Sequence, residues 1–134
     1  MIRYSKSVRS AIAVMSYLAE YYDDGQTRAS AGEIAQCRRL SKALVAKLLG
    51  QLSQNGLVRS TPGPNGGYWL NKTPDQISIY DVACCFDDPV HLTQCPFNPG
   101  GCDPDNPCPL HRDFSDLNHH IVVQLKGITL CRFT

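Results

Sequence analysis

No stretch of this sequence stays apolar for the roughly 20 residues that a membrane-spanning helix needs. The apolar window Ala11–Ala19 contains Tyr17 and runs straight into Glu20, and no small-residue cleavage site follows it. Neither a membrane span nor a secretory leader is therefore expected. Also missing are a catalytic triad, a phosphate-binding glycine loop and paired carboxylates, which leaves no enzyme signature. Net charge is scarce too, at +1 from 13 Lys+Arg and 12 Asp+Glu. Disorder is nonetheless not expected, because 43% of residues are hydrophobic and only 19% are charged, an ordinary globular balance. A chain of 134 residues fits one compact domain plus one appendage.

The small net charge hides an asymmetry. Residues 1–73 hold ten Lys/Arg against four acids, whereas residues 74–134 hold three bases against eight aspartates. A basic first half suits a polyanion such as DNA. Seven cysteines without an export signal point to a reducing, cytoplasmic setting, where clustered cysteines more often bind metal than form disulfides.

What is present follows a clear order. Val8, Ala11, Ile12, Met15, Leu18, Ala19 and Tyr22 recur every three or four residues. That spacing predicts an amphipathic helix from about Lys6 to Tyr22, ended by Asp23-Asp24-Gly25. Ser30-Ala-Gly-Glu33 fits a capping box opening a short second helix to about Cys37. A third helix is capped by Ser41, buries Leu44, Val45, Leu48, Leu49 and Leu52, and stops at Asn55-Gly56. Its outer face carries Lys42, Ala43, Ala46, Lys47 and Gly50. Two helices across a tight turn, the second polar and basic outside, describe a helix-turn-helix. Leu57–Ser60, a Gly/Pro turn over residues 61–67 and Tyr68–Leu70 then predict a β-hairpin placed as a wing.

Ser78-Ile-Tyr-Asp81 opens a short fourth helix through Val82 and Phe86. Cys84 and Cys85 on it read as small core residues, as do Cys37 and Cys131 in their helices. Residues 87–109 have neither helical nor strand period. From Phe114 to Phe133, Leu117, Ile121, Leu125, Ile128 and Leu130 predict one long amphipathic helix with little left to cover in its own domain, hence a dimer helix. His91, His119 and His120 read as surface or interface residues.

This aperiodic stretch and the residues just after it carry Cys95, Cys102, Cys108 and His111 in the pattern C-x6-C-x5-C-x2-H. Such a loop lacks the apolar residues to hold itself folded, and a metal tying four side chains together could supply that energy. Thiolates with imidazole suit zinc or an iron–sulfur cluster. The zinc alternative is a CCCH-like nucleic-acid-binding or structural protein. Against it, Phe97 is the loop's one aromatic residue available to stack on single-stranded bases.

Taken together these motifs resemble the iron–sulfur winged-helix regulators of the IscR, NsrR and RirA type. The resemblance rests on Arg3-Tyr4-Ser5, Leu40-Ser41-x-x-Leu44-Val45, Asn55-Gly56-Leu57-Val58, Gly63-Pro64-Asn65-Gly66-Gly67-Tyr68, the three-cysteine loop and Ile128-Thr129-Leu130. It covers almost the whole chain. It implies a homodimer with crossing long helices, palindromic double-stranded DNA targets and a cluster that switches DNA affinity. It also implies that His111 is the fourth ligand of a 2Fe–2S cluster. A 4Fe–4S cluster with a carboxylate from the partner's first helix is the alternative, but that stretch here is Val8-Arg9-Ser10, with no carboxylate. Three features depart from the IscR pattern: a first cysteine gap one residue longer, Pro62 in place of a groove-reading arginine, and Ala46 in place of an acid.

The expected protein is thus mainly α with a small β-hairpin. Residues 1–75 form a winged helix-turn-helix, and residues 76–134 form the cluster loop and dimerisation helix. The expected function is a DNA-binding regulator, a repressor, responding to iron, cluster status, nitric oxide or redox stress. Expected DNA contacts are Arg3, Ser41, Lys42, Ala43, Ala46, Lys47, Arg59, Pro64, Asn65 and Gly66; expected metal ligands are Cys95, Cys102, Cys108 and His111.

Overall fold

The computed structural model describes residues 5–86, 103 and 105–134. Helix α1 (Lys6–Glu20) begins at Ser5, whose hydroxyl accepts from the Val8 amide at 3.2 Å. Its buried stripe of Val8, Ala11, Val14, Met15, Leu18 and Ala19 is the centre of the core. Against it pack α2 (Ala31–Arg38), α3 (Lys42–Gln54), a hairpin strand, the short helix α4 (Ile79–Cys84) and a C-terminal 3-10 turn at Leu130–Phe133. Among the described residues no helix is long and apolar enough to cross a membrane.

The starts of α2 and α3 are set by side-chain caps, as the sequence predicts. Ser30 accepts from Glu33 N at 3.1 Å and Ser41 from Leu44 N at 3.2 Å. The fully reciprocal box forms at Ser78–Asp81, where both bonds are made, rather than at Ser30–Glu33. Between α2 and α3 the chain turns through Arg39, which sits left-handed at φ 56°. Leu40 N then donates to Ala35 O at 2.9 Å. Arg38 fixes α2 to α1: its Nε donates to Ala13 O and Ser16 Oγ, each at 3.2 Å, and its Nη2 pairs with Glu20 at 2.8 Å. This base, counted in the positive half of the sequence, is thus used inside the fold.

Strands β1 (Val58–Thr61) and β2 (Gly67–Leu70) pair antiparallel with Val58 opposite Leu70 and Thr61 opposite Gly67. A Cβ at Gly66 would fall 2.1 Å from Thr61 O, so this turn closes only with glycine there. Val58 and Leu70 anchor the hairpin base in the core.

The last helix, α5, covers His111–Gly127, which corrects the expected Phe114–Phe133. It starts three residues earlier and stops at Gly127, because the next residues leave the helix to pair with another segment. Thr129 bridges Ser78, Ile79 N donates to Ile128 O at 2.8 Å, and Leu130 N donates to Ile77 O at 2.9 Å. Leu130 is thereby fully buried in the core. A second correction concerns the cysteines. Cys37 and Cys131 are exposed rather than packed, while Cys84 and Cys85 are half-buried.

Candidate nucleic-acid interface and metal site

The outer face of α3 is set by its buried one. Val45, Leu48, Leu49 and Leu52 are in the core, so Ser41, Lys42, Ala43, Ala46 and Lys47 all lie exposed. The small Ala43 and Ala46 leave backbone close to any ligand, and the lysines supply charge. On the hairpin, Arg59, Pro64 and Asn65 are exposed and Gly66 is half-buried. Among the described residues the one ion pair is Arg38–Glu20, so Lys42, Lys47 and Arg59 keep their charge available to a polyanion. Arg3 lies outside the described residues.

Sequence reasoning missed one member of this surface. Arg28, in the segment between α1 and α2, has its guanidinium 4.7 Å over the Trp69 ring and donates from Nη1 to Asn65 O at 3.5 Å. The contact spans 37 residues, so no local pattern announces it.

Of the four expected metal ligands, Cys95 and Cys102 lie outside the described residues, as does His91. Cys108 and His111 are described. Both are exposed, and His111 N donates to Cys108 O at 3.0 Å in the turn that starts α5. Among the described residues alone, no three His, Cys, Asp or Glu side chains are grouped to hold a metal ion. By donor type, the Cys108 thiol and the His111 imidazole suit a thiolate–imidazole centre. Both are solvent-facing, and α5 has no side-chain cap at its start. His119 and His120 are exposed further along α5.

Cys84 and Cys85 differ from that pair. The Cys85 thiol donates to Asp81 O at 3.3 Å, and burial pushes its pKa up to about 11. Tyr80, next to Cys84, is shifted upward chiefly by its hydrogen bond to that cysteine. The Lys126 ammonium lies 5.0 Å over the Tyr80 ring, joining α5 to α4.

A left-handed helix-turn-helix corner, an exposed basic second helix and a glycine-built hairpin beside it define a winged-helix DNA-binding regulator. The Rrf2 family, described as iron-dependent transcriptional regulators, matches residues 4–134, and the chain belongs to that family. An HTH-type transcriptional regulator of Aquifex aeolicus (strain VF5) is 34% identical over 129 residues, covering 95% of this chain and 88% of the relative. The HTH-type transcriptional regulator IscR of Cronobacter sakazakii is 31% identical over 129 residues, covering 96% and 78%. Among solved structures, CymR, the global cysteine regulator of B. subtilis, superposes with a TM-score of 0.79 at 26% identity, covering 97% of this chain and 94% of that one. IscR of T. potens superposes with a TM-score of 0.75 at 23% identity, covering 97% and 84%. The chain is a DNA-binding transcriptional regulator, not an enzyme.

Proposed function

We propose that the chain is a repressor that binds palindromic DNA as a homodimer and whose affinity is set by an iron–sulfur cluster on Cys95, Cys102, Cys108 and His111. The observation that carries the metal reading is the C-x6-C-x5-C-x2-H spacing, with its last two members, Cys108 and His111, exposed in the backbone-bonded turn that starts α5. The frame alone does not choose, because it is shared with CymR, a cysteine regulator, as well as with IscR. What supports a cluster is the set of three thiols and one imidazole, and what favours 2Fe–2S over 4Fe–4S is the resemblance to IscR-type regulators together with Val8-Arg9-Ser10, which offers no carboxylate for the latter.

In this reading α3 enters the major groove with Ser41, Lys42, Ala43, Ala46 and Lys47. The turn at Pro64, Asn65 and Gly66 lies over the minor groove, Arg59 meets phosphate, and Arg3 joins them from the amino-terminal end. α5 pairs with its counterpart, since none of its residues is buried within the chain. When bound, the cluster would tie the segment between α4 and α5 together and supply a redox-sensitive, removable centre. Cys108 and His111 would hold it at the root of α5, where order in the loop bears on how two copies align. Control of this kind requires that one dimer arrangement be favoured over another.

The test is anaerobic purification followed by absorption and Mössbauer spectra, with His111→Ala and Cys102→Ala compared. A red-brown protein with 2Fe–2S spectra, lost in Cys102→Ala and altered in His111→Ala, is expected. A colourless zinc protein would overturn the cluster, and an unchanged spectrum in His111→Ala would remove His111 from the ligand set.

A further inference from the structure

The hairpin's own turn is without a cation: residues 61–67 read Thr-Pro-Gly-Pro-Asn-Gly-Gly. Its one basic residue, Arg59, stands back on the strands opposite Trp69. A wing that settles on a phosphate-lined groove gains from positive charge near its tip, and this fold brings that charge from elsewhere. Ala29 N donates to Tyr68 O at 3.0 Å, and Tyr68 N donates to Ala29 O at 2.8 Å. The segment before α2 therefore runs as a one-residue third strand along β2. Gly67 permits the approach: its φ is +147°, and a Cβ there would lie 2.9 Å from Ala29 O.

This pairing sets Arg28 beside the turn. Its guanidinium covers Trp69 at 4.7 Å and spends one of its five N–H donors on Asn65 O, at the long distance of 3.5 Å. The residue is exposed and takes no part in an ion pair among the described residues. It also lies two residues before Ser30, the cap of α2. In the next turn, a Cβ at Gly32 would come within 3.9 Å of the Lys42 side chain. Arg28 thus stands beside the wing tip, on the segment that leads into α2.

We infer that Arg28 is the wing's DNA-contacting cation, holding acceptors of the groove beneath the turn. Stacking on Trp69 fixes the guanidinium plane in advance, so little side-chain freedom is lost on binding, and the remaining edge donors are free to meet phosphate or base-edge oxygens. This rests on the reading that α3 and the wing form the DNA face, so the test separates the two.

Wild-type protein first selects its operator from randomised duplex DNA. Binding of Arg28→Ala, Arg28→Lys and Lys47→Ala to that duplex is then measured by anisotropy across a salt series. Trp69 is the sole tryptophan, so its emission reports the stacked pair in the free protein. Arg28→Ala is expected to weaken binding on the order of tenfold and to lower the salt slope by roughly one. Arg28→Lys should keep the slope while losing part of the affinity with the planar stack. An affinity loss in Arg28→Ala with an unchanged salt slope, matched by the same loss in Arg28→Lys, overturns the inference and leaves Arg28 as a prop for the wing. Unchanged binding in Arg28→Ala beside weakened binding in Lys47→Ala overturns it while sparing the DNA face. Unchanged binding in both variants overturns both.

Discussion

Cys85 shows how much a single residue's setting decides. Its half-buried thiol donates to the Asp81 carbonyl, and burial lifts its pKa to about 11. At neutral pH the thiolate is then on the order of one part in ten thousand, against a few per cent for an ordinary thiol. In the native protein, brief alkylation at pH 7.5 followed by peptide mass spectrometry should label exposed Cys37 and Cys131 well before Cys85. Labelling of Cys85 as fast as Cys37 would contradict this. The same shift acts on stability. A folded pKa above the unfolded one contributes stability that is complete below the ordinary thiol pKa and is lost as pH rises through about 11. Tyr17, raised mainly by burial, acts in the same direction. At this scale the sequence was only partly readable. Serine caps announced themselves because their bonds span three residues. The exposure of Cys37 and the placement of Arg28 did not, because they depend on segments far apart in the chain.

Among the elements, the first three helices and the hairpin were legible, since apolar spacing, caps and turn residues all agree there. The end of α5 was not. Ile128 and Leu130 continue a helical spacing after Leu125, and only the pairing of residues 128–130 with residues 77–79 shows that the helix has already ended. What remains helical leaves Leu117 51% exposed, Leu110 at its cap position is 48% exposed, and no residue of α5 is buried. Isolated large apolar side chains are common on surfaces, but Leu110, Leu117 and half-buried Ile121 recur at heptad-like spacing from the cap of α5 into the helix. A dimer across this face is therefore expected by sedimentation at micromolar concentration. Leu117→Glu, at a site that supports no core packing, should shift the protein toward monomer without lowering helical content. A wild-type monomer with the metal centre filled would contradict the proposed assembly.

At the scale of the whole molecule, charge and topology divide the tasks. Bases concentrate before residue 74 and aspartates after it, so the half proposed to face DNA is separate from the half proposed to hold a metal. The two are nevertheless joined. Leu130 returns from the end of α5 into the core formed by α1, α3 and α4, and Lys126 caps the Tyr80 ring on α4. In the proposed mechanism, movement at the start of α5, where Cys108 and His111 sit, would reach the winged helix along α5 through these contacts at its far end. The sequence made the metal candidates visible by their spacing, but it could not show that linkage, which depends on a three-residue pairing between chain segments about fifty residues apart. The most direct test of the account is the affinity of anaerobically prepared protein for its selected operator duplex, measured with the cluster present and again after its removal under reducing conditions. The account predicts at least a fivefold difference, roughly the lower end of typical coupling between sites, which disappears when Cys102→Ala is compared with its own treated sample. Equal affinity in the two states on every selected duplex would contradict it.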